Sequence, residues 1–266
     1  MSSEVSSAPV QGERTGGVDV ARDDWEQHWV EYAHRLEANP ARLYRERLIV
    51  RALERHGGER RVLDIGSGTG ELAAAVLAAQ PDAEFLGLEL SRSGVELARR
   101  KVPGASFEAR DLMVAEPPSA ERQGWATQAI CSEVLEHLDD PETLLRNTIP
   151  YLAPGCLLIV TVPGGPMSAF DKHIGHRQHF RPDELRRLLE RAGFEVERAT
   201  GAGFPFFNLY RLAVMARGRR LVNAAGGTSR LARLVLGIFG ALFHLNLDSS
   251  RWGWQTVAHA RLPRAR

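Results

Sequence analysis

Val62-Leu63-Asp64-Ile65-Gly66-Ser67-Gly68-Thr69-Gly70-Glu71 runs from an apolar strand through a glycine-rich turn into the start of a helix. Glycines at alternate positions permit the positive φ of a tight turn and clear Cβ atoms from the path of a ligand. The helix behind them presents unpaired N–H groups. A glycine turn also serves structure alone, so its neighbours decide its meaning. One strand later stands Glu89, where an acid can accept both hydroxyl protons of a ribose. Asp111 follows the third strand, where a carboxylate either takes a hydrogen from an exocyclic amine or caps a turn. The loop has no Walker lysine, which argues against a triphosphate cradle. It also lacks the G-x-x-G spacing of a pyrophosphate loop, and Asp64 ahead of it would repel phosphate. An acidic loop of this kind suits a cationic ligand, such as one bearing an ammonium and a sulfonium.

Outward from this loop the chain alternates short β-like runs with helical ones, the pattern of a parallel sheet covered on both faces. The expected strands are 61–65, 83–90, 106–109, 127–132 and 157–162, followed by FEVERAT at 194–200 and QTVAHARL at 255–262. Helices are expected at 71–80, 91–101, 141–152 and 182–193, with Asp139 and Asp140 capping the third of these and Pro141 at its first position. Residues 1–23, rich in Ser, Gly and charge, read as a disordered tail. A single domain then spans 24–266 and begins with a helical leader over 24–58, in which Trp25, Trp29 and Tyr32 share one helix face. An insertion at 203–250, aromatic and aliphatic, precedes the last strand. Its stretch from Gly203 to Leu247 carries six Arg and no Asp or Glu.

The chain has 266 residues, 34 Lys+Arg against 33 Asp+Glu, and a net charge of +1, so no global field recommends nucleic acid as a partner. Cys131 and Cys156 are too few for a disulfide scaffold or a thiolate zinc site, which fits a reducing cytoplasm. The N-terminus has no apolar core behind a basic start and does not read as a signal peptide. The apolar stretch Leu234–Phe243 is about half the ~20 residues that a membrane span needs.

VLDIGSGTGELA, the acid of LGLELS, ARDL, SEVLEHLDDPETLL and YLAPGCLLIVTVP follow one another between about residues 61 and 200. In order and spacing the chain resembles the class I S-adenosylmethionine (SAM)-dependent methyltransferases. That resemblance implies a Rossmann-like α/β fold with a seven-stranded, mostly parallel sheet whose last strand is antiparallel. It implies SAM as the cofactor, with Asp64, Gly66 and Gly68 around the methionine part and Glu89 on the ribose. Asp111 and Leu112 would bracket the adenine, and Ser132 would close the methyl end. Ser67, Gly70 and Leu90 complete the implied cofactor set.

Methyl transfer from a sulfonium is an in-line displacement that mainly needs alignment and exclusion of water. A hydroxyl acceptor additionally needs a base or a metal for its proton. His137, after the fourth strand, is the first base candidate. His173, His176 and His179, spaced three apart in the loop beyond the fifth strand, can act as base, grip the acceptor or complete a metal shell. Glu133, Glu136 and His137 form E-x-x-E-H, a spacing similar to the metal-binding motif of the ubiquinone-biosynthesis O-methyltransferases and the small-RNA 3′-terminal 2′-O-methyltransferases. Metal-free relatives carry E-H-L here as well, and no metal site is assigned from the sequence. The expected catalytic set is His137, His176 and His179.

The leader and the insertion are the segments expected to shape the acceptor pocket, although aromatic stripes at helical spacing equally describe packed core. As a lid they would enclose an apolar or aromatic small molecule such as a phenol, a quinone or a natural-product intermediate. The Arg- and Ala-rich composition fits a GC-rich bacterial genome and, with it, secondary metabolism. The arginines of 203–247 also permit contact with an anionic membrane surface or an anionic acceptor. Two alternatives stand beside an O-methyltransferase for small molecules: a metal-dependent RNA 2′-O-methyltransferase, and a SAM-binding subunit without turnover.

Overall fold

The computed structural model describes residues 25–26, 39–217 and 230–264. The expected tail 1–23, Trp29 and Tyr32 of the leader face, and residues 218–229 of the insertion lie outside them. The elements in chain order are α1 (Pro40–Glu54), β1 (Arg61–Ile65), α2 (Glu71–Ala79), β2 (Glu84–Glu89), α3 (Arg92–Lys101), β3 (Ser106–Ala109), β4 (Ala126–Ser132), α4 (Pro141–Thr148), β5 (Leu152–Pro163), α5 (Ala169–His173), α6 (Pro182–Arg191), β6 (Glu195–Ala202), α7 (Phe206–Arg217), α8 (Arg230–Leu242) and β7 (Gln255–Arg261).

The seven strands form one sheet in the order β3-β2-β1-β4-β5-β7-β6. β1 through β5 are parallel to their neighbours, and β7 runs antiparallel to both β5 and β6. This is the expected sheet, with the final strand reversed. Order turns back between β1 and β4, so the crevice at their carboxyl ends is where an open sheet of this kind receives a ligand. The loop after β1 and the loop after β4 flank that crevice.

Side-chain alternation assigns each face of the sheet its own core. Leu63, Ile65, Leu158, Val160 and Val162 point toward α4 and α6, where Leu145, Leu185 and Leu189 meet them. Val62, Leu157 and Ile159 point the other way, against Leu53 of α1, Val76 of α2 and Ala98 of α3. Period two puts Asp64 on the same face as Val62, fully inside the protein.

One boundary differs from expectation. The helix expected to reach residue 152 ends at Thr148, passes through a 3-10 turn at Ile149–Tyr151 and enters β5 at Leu152. Pro150 has no N–H to continue the ladder of α4. β5 therefore begins five residues ahead of the expected 157, with a register shift between Ala126 and Gln128 of β4.

The insertion folds back on the leader. Phe207 and Phe243 pack with Tyr44 of α1 at ring separations of 5.7 Å each, and Tyr210 and Phe239 meet at 5.4 Å. Together with Leu48, Ala202 and Val257 they make a third apolar cluster beside the sheet. These aromatic side chains are thus packed core. No helix among the described residues is long and apolar enough to cross a membrane.

Candidate active site

Asp64, one residue before the end of β1, is 2% exposed, and its Oδ2 lacks any hydrogen-bond partner. Burial, and then the nearby Glu89 carboxylate, push its pKa up to about 7. Beyond it the loop is pinned to the end of β2. Gly66 N and Ser67 N donate to Leu88 O at 2.8 and 3.0 Å, and Gly68 N donates to Glu89 Oε2 at 2.9 Å. Glu89 Oε1 accepts from Ser91 N at 3.0 Å, so one buried carboxylate ties the glycine loop to the start of α3.

Gly66 sits at φ 76°, and a Cβ there would lie 2.5 Å from Val134 Cγ2. The glycine is therefore required both by its backbone and by the loop after β4 pressing on it. Gly66→Ala is expected to lose roughly 1–3 kcal/mol of stability from the disallowed φ, more if Val134 cannot yield, and to weaken cofactor binding. Urea unfolding checks the first, and an unchanged midpoint would contradict this packing.

An orphaned acid at the head of a loop stripped of side chains fits a cationic ligand such as SAM. The remaining residues assigned to the cofactor occupy varied surroundings. Ser67 is buried, and Gly70, at φ 83°, is the N-cap of α2. Leu90 is exposed at the lip. Asp111 Oδ1 accepts from Met113 N at 2.9 Å, a turn cap, while Leu112 is buried in the main core and its carbonyl accepts from Asn147 Nδ2. Ser132 Oγ lies 2.8 Å from Thr161 Oγ1 at the adjoining ends of β4 and β5.

The loop after β4 opens with Glu133 at φ 58°, a conformation that is uncommon for a residue with a side chain and tends to gather at functional sites. This turn sends Glu133 and Glu136 to different partners. Glu133 Oε1 accepts from Gln255 at 2.9 Å, and Arg45 of α1 stands 3.6 Å from its Oε2. Glu136 is fully buried and neither of its carboxylate oxygens finds a hydrogen-bond partner. Burial first, and the Glu133 charge second, push its pKa well above the ordinary carboxylate range.

Three histidines form a row that starts beside Glu136. The His137 ring meets His176 edge-on at 4.8 Å and Trp25 of the leader at 4.9 Å. His176 Nδ1 lies 3.2 Å from His179 Nε2, and His179 Nδ1 lies 3.2 Å from the Gly165 carbonyl. Burial, then His137 and His179, lower the His176 pKa to about 3, so its imidazole is neutral at any working pH. Burial lowers that of His179 as well. His173, the third of the spaced histidines, is exposed at the end of α5, away from this group.

Ligand atoms of Glu136, His137 and His176 lie within 4.8 Å of one another, as do those of Asp171, His176 and His179. Glu133 does not join either set. One carboxylate and two imidazoles make a donor set suited to a divalent cation of borderline hardness. The two orphaned oxygens of Glu136 are an independent sign that a cation fits there.

Asp171, Arg211 and Gln255 belong to this neighbourhood and were not singled out from sequence. Burial would raise the Asp171 pKa, but the Ser168 hydroxyl and amide, with Arg211 at 3.1 Å, hold it below the usual range. The Ser168-x-x-Asp171 capping pattern was a readable signal for Asp171. Arg211 and Gln255 had none, because only the folding back of α7 and β7 brings them here.

In the protein without bound metal, Glu136→Gln is expected to raise the thermal midpoint at pH 8. The raised pKa means that the folded chain keeps a proton which the unfolded chain loses above about 4.5, so this acid costs stability increasingly as pH rises from there. Each kcal/mol recovered is worth about 2–4 °C at this chain length. Scanning calorimetry at pH 5 and 8 should show the gain growing with pH, and a lower midpoint for the variant would contradict it.

A family model described as "Methyltransferase domain" matches residues 32–199. The chain is 30% identical to a ubiquinone biosynthesis O-methyltransferase of Bordetella avium over 172 residues, covering 58% of this chain and 70% of that one. It is 27% identical to the protein of the same name from Acinetobacter baylyi over 211 residues, covering 71% and 84%. Its fold is similar to that of a SAM-dependent methyltransferase of Thermotoga maritima, with a TM-score of 0.56 at 18% identity over 90% of this chain and 98% of the other. With the sheet order, the glycine loop and this family match together, the chain belongs to the methyltransferase-domain family and is a class I SAM-dependent methyltransferase.

Proposed function

We propose that this enzyme methylates a hydroxyl oxygen of a small, largely apolar or aromatic acceptor of the quinone or natural-product kind. The observation that carries the reading is the row of His137, His176 and His179 beyond the carboxyl ends of β4 and β5, with buried Glu136 beside the first two and Asp171 beside the last two. This cluster adjoins the glycine loop, since Val134 of the same turn touches Gly66. An amine acceptor has its own lone pair, whereas a hydroxyl must lose a proton, and the imidazole of His137 supplies an acceptor for it. The similarity to ubiquinone biosynthesis O-methyltransferases supports the same direction.

In this reading the acceptor oxygen forms its bond to the methyl carbon as the carbon–sulfur bond breaks, leaving S-adenosylhomocysteine. The hydroxyl proton passes to the His137 imidazole, and the His176–His179 pair holds that ring in place. Trp25 against His137 helps keep water from the reacting atoms. Glu26 secures this part of the leader by accepting from the Arg92 and Ser93 amides at the start of α3.

A second use of the same residues is favoured by the orphaned Glu136 oxygens. Glu136, His137 and His176 would hold a divalent cation, which when bound lowers the pKa of an acceptor hydroxyl. The test is an assay of phenolic and catecholic acceptors with and without chelator, with products identified by mass spectrometry. Methyl ethers formed regardless of chelator support the histidine base, and ethers lost with chelator and restored by Mg²⁺ or Mn²⁺ support the cation. Methylation of amines or carbon alone would overturn the proposal.

A further inference from the structure

We propose that Arg211 of α7 is a positioning residue for the histidine row: it occupies Oδ1 of Asp171 and so leaves the Nδ1–H of His176 to His179. The inference rests on the reading of His137 as the base and names the residue through which the insertion acts on it. Proton positions in the row follow from its partners. The Gly165 carbonyl can only accept, so His179 Nδ1, 3.2 Å away, carries the hydrogen of that neutral ring and its Nε2 keeps a lone pair. His176 Nδ1 lies 3.2 Å from that lone pair and therefore carries its own hydrogen.

A competing acceptor stands close by, since Asp171 Oδ1 is 4.0 Å from the same Nδ1. A hydrogen bond to a carboxylate is roughly twice as strong as one to a neutral acceptor, so an unoccupied Oδ1 would take the hydrogen. The His176 amide donates to Asp171 O at 3.0 Å, which keeps the two residues together and leaves rotation of the ring as the freedom. Turned toward Asp171, the ring would leave His179 and give up its edge-on contact with His137 at 4.8 Å. Arg211 prevents this. Its Nη2 stands 3.1 Å from Oδ1, and with the side chains only 15% and 1% exposed the pair is little screened by water. The other oxygen, Oδ2, is used by the amide and hydroxyl of Ser168, both at 2.7 Å. Among the described residues no other Lys or Arg stands within ion-pair distance of this carboxylate.

The experiment compares Arg211→Gln and Arg211→Lys with the parent, as full chains, by two readouts. In protein labelled with ¹⁵N-histidine, the ring-nitrogen resonances of His176 should shift in Arg211→Gln and stay near the parent's in Arg211→Lys, which keeps a cation beside Asp171. In turnover of the phenolic and catecholic acceptors, Arg211→Gln should lower kcat roughly ten- to a hundredfold, the scale of a misplaced catalytic group, with KM for the acceptor little changed. Arg211→Lys should recover most of that loss. SAM affinity, read by calorimetry, should be unchanged in both and certifies their fold. His176 resonances that do not move in Arg211→Gln would overturn the proposal, as would a loss confined to KM or a lysine variant no better than the glutamine one. Failure of the base reading shows separately, as an unchanged rate in His137→Ala, while the resonances still report whether Arg211 sets the His176 ring.

Discussion

Asp64→Asn is expected to weaken SAM binding by about a hundredfold or more while leaving the sheet intact. The variant keeps the size of the side chain and removes the charge. Truncating one partner of a buried charge pair typically costs about 2–5 kcal/mol, which is roughly thirtyfold to several thousandfold in affinity. Asp64 is placed to lie in that range because it is buried, its Oδ2 has no partner within the protein, and no cation offsets its charge among the causes of its raised pKa. The parent protein should also show a pH signature. Its carboxyl is pushed up to about 7, so below that pH a cationic ligand must displace a proton before it can pair. Affinity should rise with pH through about 7 and then level, by up to tenfold per unit on the acid side. The Asn variant should lack that slope. Calorimetric titration between pH 6 and 8.5 checks both statements, and parent-like affinity in the variant would remove Asp64 from the cofactor site.

His137→Ala is expected to keep SAM affinity near that of the parent and to lose turnover by about 10²–10⁴-fold, the range for removing a positioned general base. The imidazole stands at the meeting point of three elements that fold separately in sequence: the turn after β4, the loop before α6 and the leader. Its contacts with His176 and Trp25 place it against both the histidine loop and the covering segment. Val134 of the same turn is the side chain that packs on Gly66, and on this account binding and turnover should separate. Because His176 is pushed to about 3, it stays neutral and cannot take over as a base of comparable strength. Single-turnover assays with saturating SAM decide the point, and an unchanged rate would exclude His137 from the chemistry.

The sheet was legible because its strands are short apolar runs cut off by glycine or acid, and period two then dictates which residues face which core. Val62, Leu63, Asp64 and Ile65 show this directly, with only the buried acid breaking the apolar rule, and it does so at the crevice. The end of α4 differs from the sequence reading because Ile149, Tyr151 and Leu152 carry the apolar pattern of the helix onward, while Pro150 decides the outcome by the hydrogen bond it cannot make. His137, His176 and His179 were recognisable from their position after strand ends. Which of the spaced histidines converge was not, because that depends on the Asp171 cap and on α5 turning His173 outward. Nor did the E-x-x-E-H spacing reveal that Glu133 would turn to Gln255 and Arg45. That outcome rests on its left-handed backbone and on two elements distant in sequence.

The measurement closest to the central claim is transfer of label from methyl-labelled SAM into a bacterial extract, with products separated into organic-soluble, aqueous and RNA fractions. The account predicts label in the organic fraction, alkali-stable as an ether and lost in His137→Ala. Label confined to RNA, or none in any fraction from a protein that binds SAM, would contradict it.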